Sequence, residues 1–130
     1  MNTDELFGDF FKRKRRELGV SLREFCRQND LDPGNMSKVE RGVLPPPEGH
    51  DKLADYARML DIKEGTDEWL TFFDLAAASR GRIPDELMED ERVVRALPIM
   101  FRTLRKDKIT DEEVERLMKV VGRAWRRERF

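Results

Sequence analysis

The side chains of this chain best equipped for chemistry are cations. Lys12, Arg13, Lys14, Arg15 and Arg16 stand in one run, and Arg23 and Arg27 follow at a spacing of one helical turn. Residues 10–42 hold nine Lys or Arg against five Asp or Glu, residues 43–100 seven against thirteen, and residues 101–130 ten against six. A net charge of −1 therefore hides a basic first third, an acidic middle and a basic end. A local positive surplus suits a polyanion, because each phosphate neutralised by Lys or Arg releases condensed counterions. The competing reading is that the run lies on the solvated faces of a helix. The small overall charge argues only against indiscriminate nucleic-acid binding, since a binding footprint is local.

Other chemistries find little material. His50 is the only histidine and Cys26 the only cysteine, so no paired metal-ligand spacing exists and no intramolecular disulfide can form. There is no glycine-rich phosphate loop after a strand, no HExxH and no GxSxG. Carboxylates are plentiful, as expected on solvated helix faces when 41% of residues are charged. We assign no catalytic residue, metal or cofactor and do not expect an enzyme. A lone thiol fits a reducing cytoplasm. No charged-then-apolar leader opens the chain, and no apolar run reaches the roughly 20 residues of a membrane span, so a soluble cytoplasmic protein without membrane contact is expected.

The elements that must position the cations read as helices. Phe7, Phe10, Phe11 and Leu18 make one apolar stripe over 6–18, with Asp4 and Glu5 at its positive end. Ser21 and Glu24 form a capping box that starts a second helix, with Leu22, Phe25 and Cys26 on one face. A turn at 29–32 follows. Asp32 is a good N-cap and Pro33 suits the first helical position, so a third helix should run from 33 to about 41 and stop at Gly42.

The spacing of Phe25, Cys26, Leu31, Met36 and Val39 with the ending Glu40-Arg41-Gly42 resembles the helix-turn-helix domain of the Cro/CI repressor family, often called Xre-like. The resemblance implies an all-α fold: an N-terminal five-helix lambda-repressor-like domain over 1–80 and a C-terminal helical extension over 81–130. It implies that Cys26 fills the small position where the two motif helices touch and that Met36 and Val39 are core. It also implies that Asn35, Ser37 and Lys38 face the DNA major groove, with Lys12, Arg16, Arg23, Arg27 and Arg41 as further DNA contacts. Glu40 would bridge to a first-helix cation, Arg13 or another member of the run. Leu22 stands where the family often carries a phosphate-holding Gln, and Pro33 and Gly34 offer no side-chain donors. Base reading therefore shifts to Asn35, Ser37 and Lys38, while backbone N–H groups near 33–35 could receive a phosphate.

Residues 43–50, with three successive prolines, should be a stiff non-helical connector. Leu53, Tyr56, Ala57 and Leu60 mark a helix over 52–60. Thr66 caps another that carries Trp69, Phe72, Phe73, Ala76 and Ala77, whose face is ordinary core or, in part, a contact with a second copy. A short acidic helix after Pro84 should be followed by helical turns ending before Pro98, and a new short helix should begin there. Thr110 and Glu113 form another capping box, and Val114, Leu117, Met118, Val121 and Trp125 make a stripe that must bury against the chain's own core, a second copy or another protein. The basic end, GRAWRRERF, could add nonspecific affinity for nucleic acid or an acidic partner.

The order of elements, with LPIMFRTLR at 97–105, resembles Xre regulators that accompany toxins or metallopeptidases in two-gene modules. Two functions follow from the resemblances. One is a sequence-specific, autoregulating repressor that binds double-stranded DNA as a homodimer. The other is an antitoxin-like protein that restrains a toxin or metallopeptidase-like partner through its C-terminal helices.

Overall fold

The computed structural model describes residues 5–105, 110–112, 114–116 and 119. The regular elements among them are α-helices, including α1 (Phe7–Glu17), α2 (Leu22–Asn29), α3 (Pro33–Glu40), α4 (His50–Met59), α5 (Asp67–Ser79), α6 (Asp85–Met88) and α7 (Glu91–Leu104). The chain divides into two compact units, Met1–Arg82 and Ile83–Phe130. No helix among the described residues is long and apolar enough to cross a membrane.

In the first unit α1 is the hub. Its Phe11 meets Phe25 of α2 edge-on with ring centroids 5.7 Å apart and Tyr56 of α4 at 6.0 Å. Phe7 and Phe10 lie 5.0 and 6.2 Å from the ring of Phe72 in α5. All five phenylalanines are buried, and each such burial is worth about 1.5–3 kcal/mol relative to exposure. Leu18, expected on this stripe, is instead 40% exposed. The helix ends at Glu17, and Gly19, at φ +76°, turns the chain before Leu18 can reach the core.

Each junction around α2 and α3 has a local cause. Ser21 Oγ accepts from the Glu24 N–H at 3.1 Å. Only this half of the expected capping box forms, because the Glu24 carboxylate turns to Arg27 and Gln28. α2 ends where Asp30 takes a left-handed conformation, φ 53°, while Asn29 Nδ2 and the Leu31 N–H donate to the Phe25 and Cys26 carbonyls. Asp32 then caps α3, its Oδ1 accepting from the Gly34 N–H at 3.2 Å. At the far end Gly42 is at φ +76°, and the N–H groups of Val43 and Leu44 both donate to the Lys38 carbonyl.

The connector after α3 is shorter than its composition suggests. Gly49 is the N-cap and His50, expected in the connector, is already helical. Nothing after the third proline opposes helix, and the His50 ring stacks on Phe73 of α5 with centroids 4.9 Å apart. Pro46 is buried, and Arg80, just beyond α5, clamps it: Nε and Nη2 donate to the Pro46 carbonyl and Nη1 to Glu48. Thr66 caps α5 as its type predicts, accepting from the Trp69 N–H at 3.2 Å.

In the second unit α6 packs on α7. The break expected at Pro98 does not occur, and α7 runs through it. A proline inside a helix costs about 3 kcal/mol. Here Val93, Val94, Leu97, Met100, Phe101 and Leu104 keep one helical period on both sides of Pro98, so a single apolar stripe spans it. Of the stripe expected after Thr110, only Val114 is described, and it is exposed; Glu113, Leu117, Met118, Val121, Trp125 and the basic end lie outside the described residues.

Candidate nucleic-acid interface

The pose of α3 is fixed from below by packing and by one ion pair. Met36, Val39 and Glu40 face inward and are buried, as is Cys26 where α2 meets α3. Gly8 lies where α1 crosses the end of α3: a Cβ there would meet the carbonyl oxygens of Glu40 and Val39 at 2.4 and 2.6 Å. About two turns further along α1, Arg15 binds Glu40 in a fork, Nε to Oε2 at 2.8 Å and Nη2 to Oε1 at 3.0 Å. Its third nitrogen, Nη1, donates to the Val20 carbonyl at 2.9 Å. Arg15 and Glu40 are 6% and 9% exposed, and the hydrogen bond to Glu40 raises the arginine pKa still further. The expected bridge to Glu40 thus exists, and its first-helix partner is Arg15 rather than Arg13.

The rest of the basic run divides. Arg13 binds Glu5 and Glu17 and lies over the Phe10 ring. Lys14 is buried and bonds Glu17 at 2.8 Å and Glu68 of α5 at 2.5 Å. Burial opposes its charge, but those two carboxylates prevail and its pKa is raised. Three of the five cations are therefore structural. Lys12 and Arg16 are exposed and have no ion pair among the described residues. Lys12 lies one turn from both Gly8 and Arg15 along α1, on its solvent side.

On α3 itself, opposite the buried face, Gly34, Lys38 and Arg41 recur at offsets of 4 and 3 and are exposed. Lys38 has no ion pair among the described residues. Asn35 is also exposed, on the flank beside Val39. Ser37 is half-buried, and its carbonyl receives the Arg41 Nε at 3.3 Å, so Arg41 closes the end of its own helix. On α2, Arg23 is exposed with no ion pair among the described residues, whereas Arg27 is held by Glu24. That contact lowers the Glu24 pKa, and such an exposed pair is weak enough to exchange for a phosphate.

At the start of α3 the Asp32 carboxylate caps the helix and takes the Gly34 N–H, so it competes with a phosphate for that one donor.

The surface left is a set of cations and one amide: Lys12, Arg16, Arg23, Lys38 and Asn35, with Arg27 and Arg41 reachable by exchanging weak internal contacts. Such groups can bind phosphates and hydrogen-bond the edges of bases. Among the described residues no cluster of three or more His, Cys, Asp or Glu is placed to hold a metal ion. Reading residue types along the chain missed Gly8 and the Arg80 clamp and left the partner of Glu40 open. Arg15 had a signal, since it stands four residues after Phe11 and eight after Phe7 on the buried stripe; Arg80 and Pro46, 34 residues apart, had none. Compared with protein-family models, with curated proteins and with solved structures, the chain matches none.

Proposed function

We propose that this chain is a sequence-specific DNA-binding regulator of the Cro/CI type, in which α1–α5 form a lambda-repressor-like domain, α2 and α3 are its helix-turn-helix, and α3 enters the major groove. The observation that carries this reading is the division of α3. Met36, Val39 and Glu40 lock one face to α1 and α2, while Lys38, Asn35 and Arg41 stand on the faces left in solvent. Lys38 is suited to a guanine edge or a phosphate and Asn35 to an adenine edge, and Lys12, Arg16, Arg23 and Arg27 supply backbone contacts. As a homodimer on a near-palindromic operator, two copies of α3 would enter successive major grooves roughly 34 Å apart. Occlusion of its own promoter is the simplest consequence, in the cytoplasm and with no cofactor.

Lys38→Glu tests this directly. Titrating labelled operator with the variant should show a loss of roughly ten- to hundredfold in affinity, with helical content unchanged by circular dichroism. Unchanged affinity removes Lys38, and with it this face of α3, from the interface.

A second reading is an antitoxin-like role, in which the C-terminal helices restrain a toxin or metallopeptidase-like partner. It is favoured by α7, none of whose residues is buried. Co-expression with the product of the neighbouring reading frame decides it: a stable complex supports the role, and two independently eluting proteins remove it.

A further inference from the structure

The first turn of α3 holds a glycine that the fold does not require. Gly34 lies on the solvent face in line with Lys38 and Arg41, and its backbone is not left-handed. An added Cβ would meet only the two carboxylate oxygens of Asp32, at 3.6 and 3.8 Å, which is ordinary contact. Glycine within a helix costs stability relative to alanine, so nothing inside the chain accounts for it. The same two distances place the Asp32 carboxylate beside the bare backbone of Gly34, at the start of the face that carries Lys38. Asp32 is exposed; its Oδ1 accepts the Gly34 N–H at 3.2 Å, and its Oδ2 has no hydrogen bond among the described residues. Pro33, between the two, has neither an N–H nor a polar side chain to compete.

We infer that Asp32 and Gly34 form one base-reading element, in which the Asp32 carboxylate accepts from the N4 amino group of a cytosine and the missing side chain of Gly34 gives that base edge room to approach. The inference rests on the reading that α3 enters the major groove, where the N-terminal residues of a recognition helix contact base edges.

The choice of base follows from what each presents in that groove. Guanine shows the acceptors N7 and O6 and thymine the acceptor O4, all of which repel a carboxylate. Adenine sets its N6 amino group beside the acceptor N7. Cytosine alone offers a donor with no acceptor on the same base. Lys38, suited to guanine, selects for acceptors at the other end of the face, and Asp32 selects against them. Its specificity therefore comes from exclusion as well as attraction.

Asp32→Asn isolates this role, because asparagine is as good an N-cap as aspartate. The full-length wild type and variant each select duplexes from a random-sequence library, and each is then titrated with the wild-type selection and its single-base variants. Wild type should require a C·G pair at one position of each half-site, where any other pair costs about tenfold or more in affinity. Asp32→Asn should lose that discrimination and keep it elsewhere in the site, with helical content unchanged by circular dichroism. Asp32→Ser, an equal cap, should lose it too. Gly34→Ala should bind the selected duplex about tenfold or more weakly while its unfolding midpoint stays level or rises. A motif that Asp32→Asn selects unchanged overturns the inference and leaves the DNA-binding reading standing. So does a uniform gain in affinity for every duplex, which reduces the carboxylate to a cap, and so does wild-type affinity in Gly34→Ala. A wild-type chain that selects no motif removes the DNA-binding reading and this inference with it.

Discussion

Gly8→Ala sets two effects of opposite sign against each other. In an exposed helix the change would stabilise by about 1 kcal/mol, since alanine is the better helix former. Here the new methyl group would lie 2.4 Å from the Glu40 oxygen, 2.6 Å from the Val39 oxygen and 2.8 Å from the Glu40 carbonyl carbon, all inside the 3.0 Å that Cβ atoms essentially never breach. The obstacles are backbone atoms at the end of α3, so no rotamer change relieves them. They also cannot drift freely, because Arg15 holds Glu40 by two hydrogen bonds. Overpacking of this kind costs about 1–3 kcal/mol, and an immovable obstacle puts this case near the upper end, leaving a net loss of about 2 kcal/mol after the propensity gain. Urea unfolding followed by circular dichroism measures it: with a slope of about 1 kcal/mol/M for a unit of this size, the midpoint should fall by about 2 M. The same displacement tilts α3, so operator affinity should fall even where the variant is fully folded. A midpoint that rises would mean that the two helices do not cross at Gly8, and the pose of α3 would have to be rebuilt.

Removing one partner of the Arg15–Glu40 pair, as in Glu40→Leu, should cost about 3–5 kcal/mol by leaving a buried guanidinium alone, whereas Arg15→Met with Glu40→Leu should recover most of it; equal unfolding midpoints for the single and double variants would refute the pairing. Cys26 is buried, and burial, followed by the charges of Glu40 and Asp32, pushes its thiol pKa up. It should therefore resist a disulfide reagent in the native chain and react at the rate of opening, and instant modification would place it at the surface. At the start of α7, Arg92 holds the Asp90 carboxylate at about 2, below its ordinary 3.8. Its contribution to the α7 cap is present above the ordinary value and is lost as pH falls through about 2. Carboxyl-carbon resonances should show that late titration, and a midpoint near 4 would dissolve the contact.

The caps were the most legible part of the fold. Ser21, Asp32 and Thr66 each accept the backbone N–H that their type and position predict, because capping is decided within four residues. Apolar spacing likewise placed Phe7, Phe10, Phe11, Phe25 and Cys26 on buried faces, while the core positions of Met36 and Val39 came from the family resemblance. Decisions that depend on partners distant in sequence were less legible. Five adjacent cations look alike in sequence, yet helix geometry turns Lys14 and Arg15 inward and leaves Lys12 and Arg16 outside. Pro98 obeys a strong local rule that the continuous stripe of α7 overrides. Asp32 was legible as a cap, but its competition with an anion for the Gly34 N–H emerges only when the carboxylate and that donor are seen together.

The central claim is that the solvent face of α3 reads DNA. The most direct measurement is the affinity of the full chain for the DNA upstream of its own gene and for a scrambled duplex of equal length, across a salt series. The account predicts a preference of about a thousandfold or more, with affinity falling steeply as salt rises. Equal, weak binding to both duplexes would contradict it, and would mean that Lys38 and Asn35 meet no base edges.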